Sequence, residues 1–155
     1  MTEQQQRAEV VRLAREWKGT PFIHEARLKG IGADCETFLS AVFSEAGIFE
    51  ARDVPRISAQ WFLNTREDLY LNFLRKYTGE YEFTPGPDAV TPQPGDIICV
   101  RHRWVYSHGA LVTDWPMVIH CFPPKVLEAN VLYNPVFVNR EIKYFNPWIP
   151  PAVQP

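Results

Sequence analysis

Apolar residues at Val10, Leu13, Ala14 and Trp17 recur at i, i+3, i+4 and i+7, which predicts a helix from about residue 3 to Trp17 with one buried face. Thr2 followed by Gln5 has the form of a capping box, and Gly19-Thr-Pro21 breaks the helix. A polar loop leads to a second set with the same period, Cys35, Phe38, Leu39, Val42 and Ala46; Asp34 is the N-cap and Gly47 the stop. Residues 58 to 77 predict one or two more helices, starting at Ser58 and Thr65, that bury Trp61, Phe62, Leu69, Phe73 and Leu74. The pattern then changes. Thr84 to Gly95 is proline-rich, and after it come short β-type runs at 97–101, 109–113, 117–122, 126–132 and 136–145, separated by turn-like Asp114-Trp-Pro116, Pro123-Pro-Lys125 and Asn134-Pro135. The expectation is one α+β domain over 1–155: a helical half to about residue 83, a strand half over about 96–145, and an extended tail at 147–155. Helices would pack on one side of a roughly five-stranded antiparallel sheet.

Composition narrows the function classes. The 16 basic and 18 acidic residues among 155 leave a net charge of −2, which supplies no general field for phosphates and argues against nucleic acid as a partner. With 46% hydrophobic residues the chain can build a core. Neither a signal sequence nor a stretch of roughly 20 apolar residues is seen, so no membrane partner is expected and the chain reads as cytoplasmic when synthesised. Three cysteines, none in a Cys-x-x-Cys pair, favour reduced thiols over a disulfide framework.

A thiol in the first turn of a helix sits where unpaired N–H groups favour an anion, which places Cys35 for nucleophilic work, although it also fits the apolar period of its helix. Ser107-His108-Gly109 opens one predicted strand and Ile119-His120 lies in the next, so a hairpin would set His108 and His120 side by side on one face. A helix N-terminus packed against that face would bring Cys35 to His108, with His120 orienting the base.

Trp17-Lys-Gly-Thr-Pro-Phe22, Gly32-Ala-Asp-Cys35, Pro94-Gly-Asp96, Ser107-His-Gly-Ala110 and Ile119-His120, in that order, resemble the NlpC/P60 family of cell-wall cysteine peptidases, and in particular its short phage-type members. The resemblance implies a papain-like fold and hydrolysis of the amide between D-γ-glutamate and a diamino acid in peptidoglycan stem peptides, through a thioester. It makes Cys35 the nucleophile, His108 the base and His120 the third member, and it places Asp34, Glu36, Phe22, His24 and Ser107 along the substrate. A phage-tail association and tail-protein partners fit the same resemblance. Glu36 departs from the small residue the family usually carries after the cysteine, Phe22 from a frequent tyrosine, and Glu25-Ala-Arg-Leu28 from a Gly-Gly pair.

Three other readings compete. An amidase or acyltransferase could act on a non-peptidoglycan amide. A catalytically silent binding module could keep the fold, because Glu36 beside the thiol would raise its pKa. A zinc module of Cys35, His108, His120 and Cys121 has suitable donors, but His120 and Cys121 project to opposite faces of a strand. No metal or cofactor is therefore expected.

Overall fold

The computed structural model describes residues 1–49 and 69–152. Helix α1, Glu3–Arg15, starts at Thr2, whose hydroxyl accepts from the Gln5 amide at 3.2 Å while the Gln5 side chain accepts from the Thr2 amide at 2.8 Å. Two short strands follow, β1 (Arg27–Leu28) and β2 (Gly32–Ala33), paired antiparallel. Helix α2 is Cys35–Glu45, ended by Ala46 and by Gly47 at φ +74°, a left-handed value that glycine adopts without strain. Helix α3, Leu69–Tyr77, comes next. The helix starts expected at Ser58 and Thr65, with Trp61, Phe62 and the Leu69 side chain, lie outside what is described.

Six further strands form one antiparallel sheet: β3 (Gly79–Tyr81), β4 (Ile97–His102), β5 (Val105–Asp114), β6 (Met117–Phe122), β7 (Lys125–Asn130) and β8 (Ile142–Asn146), in the order β3-β8-β4-β5-β6-β7. This α+β arrangement has one strand more than expected, because β3 pairs at the edge with β8. The last predicted strand is also shorter. Residues 131–141 are turns in which the Asn130 and Asn134 side chains accept from the amides of Leu132 and Val136, each at 2.9 Å.

Those turns explain why β4, β5 and β6 read as nearly continuous apolar runs. One face of the sheet carries Ile97, Cys99, Leu111, Ile119 and Cys121 and packs on α1 and α2 through Val10, Ala14, Phe38, Val42 and Phe43. The other carries Ile98, Val100, Ala110, Val112 and Val118 and is covered by Val131 and Phe137 from the turns. A strand buried on both faces shows no polar alternation.

The Pro94-Gly-Asp96 segment is locked to α1. The Arg7 guanidinium donates to Asp96 Oδ1 at 2.7 Å and to the Pro94 carbonyl at 2.8 Å, and lies 4.2 Å from the Trp148 ring centre. Asp96 Oδ2 accepts from the Tyr81 hydroxyl at 2.6 Å and the Gln93 amide at 3.1 Å. Within the described residues no helix is long and apolar enough to cross a membrane.

Candidate functional site

Asp34 fixes the start of α2. Its Oδ1 accepts from the amides of Glu36 at 3.1 Å and Thr37 at 2.9 Å, and its Oδ2 accepts from the Glu25 amide at 2.8 Å. The Thr37 hydroxyl returns the bond, accepting from the Asp34 amide at 2.9 Å. The carboxylate is thus engaged as a cap that also ties down the preceding loop, while the Cys35 amide is not among the groups it binds.

Cys35 is seated on β5. Its thiol points to the Ser107 carbonyl oxygen 3.9 Å away, and the Gly109 amide donates to the sulfur. That single favourable hydrogen bond is outweighed: burial, then the carboxylates of Glu36 and Asp34, push the thiol well above its usual range. Glu36 is itself drawn into the fold: burial and the Asp34 carboxylate push its carboxyl up to about 8. Ser107 meets the thiol through its backbone, at a bulge where the β4–β5 register shifts between Val100 and Arg101.

The two histidines form a pair. His108 Nε2 and His120 Nδ1 are 2.8 Å apart, and the rings pack against Phe122 and Phe137. Burial, then the neighbouring His120 and His102, hold His108 well below the usual imidazole range, and burial lowers His120 to about 4.

The pair is not on the face that α2 covers. His108 stands opposite Val100 and shares its side of β5 with Ala110 and Val112, whereas Gly109 and Leu111 point to the helices. The expectation that the Cys35 helix packs on the histidine face is therefore corrected: the β5 backbone lies between the thiol and the imidazoles. Among the described residues, the Cys35 thiol makes no hydrogen bond with His108. Alternation also sends His120 and Cys121 apart, and the Cys121 thiol instead donates to the Ala33 carbonyl at 3.2 Å.

The remaining predicted residues border the thiol's end of the sheet. Phe22 is half-buried against the helix-side core and its amide donates to the Pro124 carbonyl at 2.9 Å. His24 is exposed, with Nδ1 3.6 Å from Asp34 Oδ2. Sequence reasoning missed Tyr70 of α3, which packs onto Gly109. A separate groove of about 770 Å3, lined by Glu3, Arg7, Val11, Pro94 and Thr113 among others, holds none of these residues. No group of three or more His, Cys, Asp or Glu among the described residues is arranged to hold a metal ion.

No family model and no curated protein matches the sequence. Solved structures do match in three dimensions. The NlpC/p60 domain of the peptidoglycan hydrolase SagA aligns with a TM-score of 0.56 at 15% identity, over 88% of this chain and 96% of that domain. RipD from Mycobacterium tuberculosis, described as a non-catalytic NlpC/p60 domain protein adapted to peptidoglycan binding, aligns at 0.55 and 14%, over 92% of this chain and 98% of RipD. An NlpC/P60 family protein from Bacillus cereus aligns at 0.58 and 18% over 88% of this chain, which spans 39% of that protein's length. The helices, the antiparallel sheet and the cysteine at the start of α2 are thus set in an NlpC/P60 fold.

Proposed function

We propose that this chain is a member of the NlpC/P60 family directed at peptidoglycan-derived peptides, and that in the arrangement described it holds such a peptide without cleaving it. The observation that carries this is the separation of Cys35 from His108 by the β5 backbone. A thiol with a raised pKa and no imidazole in hydrogen-bond reach is a poor nucleophile. The ligand class is supported by the neighbours: SagA is a peptidoglycan hydrolase by its description, and RipD is a binding domain of the same fold.

One observation favours a second reading, hydrolysis. His108 and His120 are already hydrogen-bonded at 2.8 Å, as a base and its orienting partner would be. His108 would take the thiol proton, and Cys35 would attack the carbonyl of a D-γ-glutamyl–diamino acid amide. The imidazolium would give that proton to the departing diamino acid amine as the C–N bond breaks, and water would hydrolyse the thioester to the glutamyl carboxylate and the free thiol. The Cys35 amide, outside the Asp34 cap, would face the oxyanion. This reading needs β5 and β6 to slip together by one residue, which would turn both the His108 and His120 rings to the α2 face with their hydrogen bond kept. Phage-tail partners and cytoplasmic synthesis belong with it.

Purified protein and its Cys35→Ala variant, incubated with defined muropeptides, separate the two. Calorimetric binding with no new peptide termini by mass spectrometry, unchanged in the variant, is the expected result. Cleavage that depends on Cys35 would replace it by the hydrolase reading, and neither binding nor cleavage would sink both.

A further inference from the structure

Gly109 is the β5 residue under the Cys35 sulfur, and its open side is filled by Tyr70, the second residue of α3. A methyl group at 109 would collide with the Tyr70 hydroxyl and lie 2.7 Å from Cε1 of its ring. Tyr70 is 2% exposed, and its hydroxyl is buried with no hydrogen-bond partner among the described residues. The Cys35 sulfur lies 3.9 Å from the Ser107 carbonyl oxygen, two residues along β5 from the glycine that Tyr70 covers. Leu71 and Leu74 on the same helix are in the core, so α3 is held by apolar burial.

These facts oppose one another. Packing holds the ring down, while the hydroxyl loses hydrogen bonds that water would restore, a sizeable penalty for a buried polar group. A helix docked through an unsatisfied hydroxyl is poised to release it.

We propose that Tyr70 is the plug of the Cys35 site: α3 docks it over Gly109 and narrows the approach to the partly exposed thiol, and its undocking is the step that admits a ligand or an electrophile. The proposal rests on the geometry around Cys35 and holds whether a bound peptide is retained or cut.

The test is alkylation of the native full chain with iodoacetamide, followed by peptide mapping so that Cys35, Cys99 and Cys121 are counted separately. Rates are taken as a pH profile, which separates access from thiol ionisation. Tyr70→Phe keeps the ring and removes the unsatisfied group, so Cys35 should label about tenfold more slowly. Tyr70→Ala removes the plug, so Cys35 should label at least several-fold faster while Cys99 and Cys121 keep their wild-type rates. A Phe variant that labels as fast as wild type, or an Ala variant that labels no faster, overturns the proposal. So does an equal rise at all three cysteines, which would mean general loosening. The assay uses no muropeptide, so its failure leaves the peptidoglycan reading untouched, and the reverse holds.

Discussion

Acid should destabilise this protein through the histidine pair, and the size and sign of the effect test the face assignment on which the functional reading turns. His120 is 5% exposed and its imidazole falls from 6.5 to about 4 on folding, with His108 displaced in the same direction. The unfolded chain therefore binds more protons than the folded one between those values. The stability this contributes is complete above pH 6.5 and is lost as pH falls through about 4. For His120 the loss amounts to about 3 kcal/mol, and because the two rings share one hydrogen bond, the pair titrates as a unit. Carboxylates also protonate in acid, so the comparison is with a His108→Leu/His120→Leu variant, in which both partners become apolar among Phe122 and Phe137. Urea unfolding at intervals from pH 8 to 4 should show wild type losing about 3 kcal/mol more than the variant. NMR titration should place both imidazoles below 6.5. Parallel stability curves would refute the burial argument. An imidazole of His108 titrating above 6.5 would refute the face assignment, since a thiolate neighbour is what raises it.

Two further outcomes follow from buried charge. Asp96→Ala strands the Arg7 guanidinium, which is 5% exposed and 2.7 Å from its partner, and removes the acceptor for Tyr81; denaturant melts should show a loss of about 3–5 kcal/mol. Glu36 titrates in the opposite sense to the histidines: with its carboxyl raised to about 8, the folded chain holds the extra proton, so stability falls as pH rises from the usual carboxylate range through 8. Glu36→Gln should remove that loss, about 4 kcal/mol by pH 8, and should lower the pH at which Cys35 becomes alkylated.

The parts of the fold that local chemistry decides were legible in the sequence. Thr2 with Gln5 and Asp34 with Gly47 bracket helices because caps act through residues a turn away. The Asn130 and Asn134 turns were not legible as the end of a strand run, because Val136 and Phe137 carry the apolar signature of a strand while serving as the cover of the far face. The depth of Glu36 is not legible in the sequence for a related reason: a helical angle of about 100° between neighbours separates the Cys35 and Glu36 side chains but says nothing about what closes over them.

The face taken by the histidines is a different kind of unknown. Hairpin connectivity makes His108 and His120 neighbours on whichever side they emerge. The side itself depends on register, and a one-residue slip exchanges the two faces of a strand. In a sheet with one wet face, hydrophobic patterning would forbid the slip. Here Leu111 and Ile119 on one side are matched by Ala110, Val112 and Val118 on the other, so patterning discriminates little. What does discriminate is Tyr70. The phenol needs a residue without a Cβ beneath it, and Gly109 alone meets that need between His108 and Ala110. By demanding glycine on the helix side, Tyr70 selects the register that sends His108 to the far side. The contact that packs Tyr70 on Gly109 thereby also keeps the imidazole away from the thiol.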